Sequence, residues 1–273
     1  MNQNTKKIKS TSELKQAFLD MLDTHKDEND IQRFLEAHTE MIPLPVMDYC
    51  GLTGNAIISK FKLGNEFVTD FAYLTGRSYY QTFVLIELED SRKKIFTGNK
   101  RNIHFSKDFN HAVDQITSWK AYVECNKEKI LYQIAKLLGK SPSPIIRFMY
   151  VLVIGRRSET QNSGYKAAML AQKNTSDTII WTYDSVLSNF EHQDISESKL
   201  ILSPVGDQRF KIKSVPEDIS TTIFGWTSPE DIIIEQPQIE QLKQQGYNID
   251  AWLRGKKLLY LDKFINQDDW KDL

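Results

Sequence analysis

The sequence predicts an α/β protein, a mixed sheet flanked by helices with an extension at the C-terminal end. Three observations predict it. The segment FVLIELE, in a run from about Tyr80 to Glu89, is apolar on both faces until its acids, the pattern of a strand in the middle of a sheet. RFMYVLVIG and then TIIWTY read as further buried strands. Helical segments separate FVLIELE from RFMYVLVIG, and strand-helix-strand order implies parallel neighbours joined by a right-handed crossover.

From the N-terminus, SELKQAFLDMLD reads as a helix opened by Ser12, with Leu14, Phe18 and Met21 or Leu22 at helical spacing. DENDIQRFLEAH gives a second helix with Ile31, Phe34 and Leu35 on one side, and the Pro43 and Pro45 pair ends the helical region. Both are expected to pack on the sheet. AIISKFKLGNEFVTDFAYL reads as two strands joined at Gly64-Asn65, a pair suited to a tight hairpin. SKDFNHAVDQITSWKAYVECN, with Ala112, Ile116, Trp119 and Val123 at helical spacing, predicts a helix, and KEKILYQIAKLLG predicts another, stopped by Gly139. SPSP then forms a stiff connection. Beyond about residue 190 the pattern loosens, through SPVGDQRFKIK, a turn at Pro216 and DIIIEQP, to a helix containing Ile239, Leu242 and Trp252. The expected division is a helical arm over 1–27, a main domain over 28–190 and an extension over 191–273, read as a cap or a dimerisation element.

At 273 residues, 40% hydrophobic and 26% charged, the chain is long enough for one large core or two modest ones. Cys50 and Cys125 lie far apart without CxxC spacing, which argues against a disulfide framework or a zinc cluster and fits a reducing cytoplasm. No apolar run reaches membrane-spanning length, and the start, MNQNTKKIKSTSELKQ, lacks the apolar stretch of a secretory signal, so no membrane association is expected. A net charge of -1 argues against a protein that coats nucleic acid indiscriminately, and local charge must then carry any such binding. One segment has that charge. Arg92, Lys93, Lys94, Lys100, Arg101 and Lys107, with His104 among them and no acid between, suit the tracking of a sugar-phosphate backbone without base readout.

Residues two apart on a strand share a face, so Glu87 and Glu89 point the same way while Leu88 points into the opposite layer. A turn centred on Ser78 and Tyr79 sets Asp70 opposite Glu87. Carboxylates gathered in this way on inner strands repel one another and lose hydration, a cost that a cation or a proton must offset. Mg²⁺, or Mn²⁺ in its place, is the expected cofactor, because Mg²⁺ prefers oxygen ligands and binds through one or two carboxylates together with a substrate phosphate. The anticipated substrate is a phosphodiester. Taken alone, an Asp followed at a distance by Glu-x-Glu also describes a solvated surface strand, and the apolar run that ends in the acids is what sets this instance apart.

FLEAH in the second helix, VTDF around Asp70, VLIELE around Glu87, QITSWKAY from Gln115, VLVIGRR near Arg156 and WTYDSVL near Asp184 occur in a specific order. Over roughly residues 28 to 190 this order resembles the PD-(D/E)XK nuclease superfamily, in particular the nuclease domain of Shedu antiphage defence proteins. The resemblance implies a PD-(D/E)XK nuclease-like fold and a metal-dependent DNA endonuclease of bacterial defence, assembled as a homo-oligomer, a dimer or a tetramer. It implies that Asp70 and Glu87 bind the ion, that Gln115 supports the site from the following helix, and that Glu36 contributes from the helix that carries FLEAH. Where the superfamily carries Lys two residues after the Glu, this sequence has Glu89. Glu89 then binds metal, which favours two-metal cleavage, or acts as a base; Lys93 or Lys94 supplies the missing positive charge; or the site has lost activity. The competing reading is a catalytically inactive nuclease-like module that binds nucleic acid or a partner protein. A carboxylate-pair glycosidase would need an aromatic-lined cleft that nothing in the sequence supports.

Plainer readings stand beside several of these residues. Glu36 also fits a solvated helix position, and Gln115 an exposed one, although it lies one turn before Trp119 on the inward-leaning face. His104 and His111 have no ligand-like partner and are read as structural or exposed. Arg156 and Arg157 follow a buried strand, where phosphate contact and pairing with an acid fit equally well. Trp181 and Tyr183 are read as packing residues.

Overall fold

The computed structural model describes residues 11–24, 27–48, 51–77, 79–99, 101–139, 145–192 and 197–258. Helices α1 (Thr11–Asp23) and α2 (Glu28–Ala37) come first, the second opened by Asp27, whose side chain accepts from the Asp30 N–H. Strand β1 (Leu52–Ser59) follows, then the short β2 (Lys62–Leu63) and β3 (Phe67–Val68), then β4 (Phe71–Arg77) and β5 (Tyr80–Leu88). The expected turn at Gly64-Asn65 joins β2 to β3. Gly64 has φ +65°, and a Cβ there would stand 2.1 Å from the Tyr122 hydroxyl, so any other residue would be strained and would displace Tyr122. The two arms expected of this hairpin are each broken in two: Lys60, at φ +55°, bends the chain between β1 and β2, and the break between β3 and β4 lies opposite it, where the Lys60 N–H donates to the Asp70 carbonyl.

A separate hairpin, β6 (Phe96–Asn99) and β7 (Asn102–Phe105), leads into α3 (Lys107–Ile134), which Ser106 caps by accepting from the Phe109 N–H. The two helices that the sequence predicts are both present and part where it parts them: the helical run α3 is broken by a kink at Asn126, which has φ -127° and ψ 23° and whose side-chain amide donates to the Tyr122 carbonyl at 2.9 Å. No Pro or Gly interrupts the segment, and Val123 on one side of the kink and Ile130 on the other enter the same core. The SPSP connection lies outside the described residues. Then come β8 (Ile146–Val153), α4 (Gly164–Ala171), β9 (Thr178–Trp181), α5 (Tyr183–His192), β10 (Leu200–Pro204), β11 (Phe210–Ser214), β12 (Ile232–Ile233), α6 (Gln236–Gln244) and α7 (Ile249–Leu253). The single C-terminal helix expected from Ile239, Leu242 and Trp252 is two, parted at Gly246, which has φ +88°.

The main sheet has eight strands in the order β12-β11-β10-β1-β4-β5-β8-β9. Strands β5, β8 and β9 run parallel, as the strand-helix-strand order requires, while β4 is antiparallel to both β1 and β5. Residues beyond 190 contribute β10, β11 and β12 to this same sheet, with β10 parallel to β1. Alternation sorts the side chains into two layers. Ile58, Leu74, Leu85 and Leu152 meet α3 on one face; Ile57, Tyr73, Ile86 and Val151 meet α1, α2 and α5 on the other. Arg156 pairs with Asp23 at 2.8 Å and Asp184 at 3.2 Å, so pairing with acids is the role it takes, whereas Arg157 gives Asp184 only its backbone N–H, at 2.7 Å, and its guanidinium donates to the Asp184 carbonyl and the Ser188 hydroxyl. No helix among the described residues is long and apolar enough to cross a membrane.

Lys199, just before β10, is 4% exposed and its Nζ has no hydrogen-bond partner. Burial lowers its pKa from 10.5 to about 8. The folded state therefore binds fewer protons than the unfolded chain between about pH 8 and 10.5, and at pH 7 it carries the full cost of a buried charge. Lys199→Met is expected to stabilise the protein at pH 7 by about 1–3 kcal/mol, read by chemical denaturation. An unchanged midpoint would show that the amine is solvated.

Candidate metal centre

The β4–β5 register, from Phe71 opposite Ile86 to Arg77 opposite Tyr80, carries on to set Asp70 opposite Glu87, as the turn position predicts. The Asp70 N–H donates to the Ile86 carbonyl at 3.0 Å. In return Asp70 Oδ2 accepts from the Leu88 N–H at 2.7 Å, so the carboxylate seals the end of β5 while Leu88 packs in the opposite layer. Glu89 continues the strand by one bond, its N–H donating to the Val153 carbonyl at 2.8 Å. The Tyr183 hydroxyl, buried at the start of α5, donates to the Glu89 carbonyl at 2.6 Å and pins it. These acids thus stand at the carboxyl ends of parallel β5 and β8, where open α/β sheets bind ligands.

All three are buried: Asp70 is 2% exposed, Glu89 4% and Glu87 7%. Glu28, in the first turn of α2, joins them, since its charge acts on Glu87 and is acted on by Asp70 and Glu89. Burial above all, then the charges of Asp70, Glu28 and Glu89, push the Glu87 carboxyl up to about 9. Burial, with Asp70 and Glu89, raises Glu28 to about 7. Asp70 is also raised by burial, against the lowering pull of Lys60. Lys60 Nζ lies 2.6 Å from Asp70 Oδ1, and Lys93 pairs with Glu89. Gln115, on α3, donates through Nε2 to Glu87 Oε1, which gives it the site-facing position that the sequence favours.

Glu36 sits further out. It accepts from Lys213 Nζ at 2.7 and 2.8 Å and from the Ser59 hydroxyl, and it contributes to the field on Asp70. The basic segment is divided. Arg92 pairs with Asp90 and Lys93 with Glu89, two acids that lie just before the segment. Lys94, Arg101 and Lys107 are exposed, and Lys100 lies outside the described residues. The hairpin between Lys94 and Lys107, which carries Arg101, is fastened by Glu159, whose carboxylate accepts from the Ile95 and Phe96 N–H groups. Three residues of the site escape the sequence reading: Glu28, Lys60 and Tyr183.

A hard divalent cation suits this donor set. Every candidate ligand is a carboxylate oxygen. Glu87 Oε2 is buried without a hydrogen-bond partner, a lone pair left bare beside other acids. Among the described residues, however, no group of three or more His, Cys, Asp and Glu side chains is gathered closely enough to hold a metal ion. The arrangement therefore fits an ion held by two carboxylates with the rest of its shell from water or substrate, rather than an all-protein cage.

A comparison with curated proteins returns no match. The family model described as Shedu protein SduA, C-terminal, matches residues 25–187, a span that holds Glu28, Glu36, Asp70, Glu87, Glu89 and Gln115. More than half of the sequence lies within the match, and the chain belongs to the Shedu protein SduA C-terminal family.

Proposed function

We propose that this protein is a metal-dependent endonuclease that hydrolyses DNA phosphodiesters, with a PD-(D/E)XK-type site in which Asp70 and Glu87 would hold Mg²⁺ or Mn²⁺. Family membership suggests a role in antiphage defence. The observation that carries the reading is the bare, buried Glu87 Oε2 in a cluster that burial and mutual repulsion drive toward protonation. Folding has accepted an electrostatic cost here that a bound cation offsets. Bound there, the ion supplies Lewis-acid polarisation of the phosphate and a more acidic water.

The chain's own residues do the positioning. Gln115 engages Glu87 Oε1 and leaves Oε2 as the free donor. Tyr183 holds the Glu89 backbone, and Asp70 is oriented by the Leu88 N–H. Lys60 restores beside Asp70 a positive charge of the kind that Glu89 displaces from the usual position. Lys94, Arg101 and Lys107 give the nearby hairpin and helix start their phosphate contacts. Assembly as a dimer or tetramer belongs to the same proposal.

The inactive binding module remains a second reading, favoured by the pairing of Asp70 with Lys60 and of Glu89 with Lys93, which already neutralises both acids. Supercoiled plasmid separates the two. Nicked and linear products are expected with Mg²⁺ or Mn²⁺, and none with EDTA or with Asp70→Asn. Intact plasmid under every condition, together with retarded bands, would favour the binding module.

A further inference from the structure

Strands β1, β10 and β11 turn Ile58, Leu202, Phe210 and Ile212 into the core beside α3. The alternate positions Ser59, Ser203, Lys211 and Lys213 therefore belong to the opposite face. Polar side chains there form the walls of two hollows of about 320 and 220 Å³ that share Lys60 and Lys213. Glu36 and Arg33 line the first; Lys211, Ser203 and Glu235 line the second.

We propose that these hollows form a trough that guides a nucleic-acid strand to Asp70, with Lys60, Lys213 and Lys211 meeting backbone phosphates. The proposal rests on reading the site as a nuclease centre. Lys60 belongs to both places, walling the trough and lying 2.6 Å from Asp70, so it joins the trough to the site. Lys211 and Lys213 lie two residues apart on β11 and both line the second hollow, so that one extended backbone can meet both. Arg33 and the three lysines outweigh Asp27, Glu36 and Glu235 by one positive charge along the combined walls.

The lysines are not held fast by their present partners. Lys213 pairs with Glu36 at 2.7 Å and Lys211 with Glu235 at 2.6 Å, both lysines more than a third exposed. The exposed Lys211–Glu235 pair contributes about 0–1 kcal/mol, whereas phosphate binding also gains from counterion release. Lysines on a sheet's outer strand commonly guard it against further pairing, but β12 pairs with β11 at Lys211, so that role does not account for Lys211. The trough also gives work to strands beyond the family match.

The test is the Lys211→Gln, Lys213→Gln double variant, assayed by fluorescence anisotropy on duplex DNA in EDTA so that binding is read without cleavage. Affinity is expected to fall roughly 10- to 100-fold at 0.1 M salt, and the slope of log K against log salt to lose about two units. Lys127→Gln, Lys129→Gln on α3 removes the same charge and is expected to change little. Unchanged affinity and slope in the first variant, or an equal loss in the second, would overturn the proposal. Mn²⁺ binding keeps the two readings apart. Unchanged DNA affinity with Mn²⁺ still bound removes the trough alone, whereas wild-type protein that binds no Mn²⁺ removes the metal reading and leaves the trough to its salt slope.

Discussion

Glu87→Gln is expected to reduce plasmid cleavage at least about 100-fold while raising the melting temperature. Partners outside the ligand shell of metal sites already cost about 10- to 100-fold when removed, so a ligand itself costs more. The stability gain has a separate origin. Glu87 is buried against Asp70, Glu28 and Glu89, which push its carboxyl to about 9, and glutamine keeps its size without that repulsion. Relief of about 1 kcal/mol corresponds to roughly 2–4 °C for a domain of this size class. Asp70→Asn is expected to lose activity without that gain, because Asp70 also accepts from Leu88 and pairs with Lys60. Activity and stability falling together in Glu87→Gln would assign the residue a structural role.

Without divalent cation the protein is expected to lose stability between pH 6 and pH 8, and Mg²⁺ to return more of it at pH 8 than at pH 6. Folded-state values of about 7 for Glu28 and about 9 for Glu87 stand above the 4.5 of an unperturbed Glu. The folded protein therefore holds protons that the unfolded chain has released, and stability falls as pH rises from about 4.5 toward 9. Cations bind the deprotonated carboxylates, so their stabilising effect grows over the same interval. Thermal melts at the two pH values, with EDTA and with Mg²⁺, measure both trends. A melting temperature that rises with pH in EDTA, or an Mg²⁺ increment no larger at pH 8, would contradict this electrostatic account.

Much of this was legible in the sequence because burial leaves a pattern. VLIELE and the apolar run of RFMYVLVIG could only sit mid-sheet, and a short turn fixed the register that sets Asp70 opposite Glu87. Gln115 was legible from its helical spacing to Trp119. Glu28 was not, because an acid in the first turn of a helix is expected for its dipole alone and carries no mark of a site. Lys60 became visible only with the left-handed bend that aims it at Asp70. The charge of the segment from Arg92 was plain, but Asp90 and Glu89, just ahead of it, absorb two of its cations. The C-terminal strands stayed hidden for another reason. Parallel pairing of Ile57 with Ile201 is a non-local contact that leaves no local signature, and β12 has only two residues.

The central claim is that Asp70 and Glu87 together grip a divalent ion. Electron paramagnetic resonance of a Mn²⁺ titration tests it without reference to any substrate. Saturable binding in the wild-type protein, lost in both Asp70→Asn and Glu87→Gln and displaced by Mg²⁺, is the predicted result. Binding that persists undiminished in both variants would place the ion elsewhere and contradict the account.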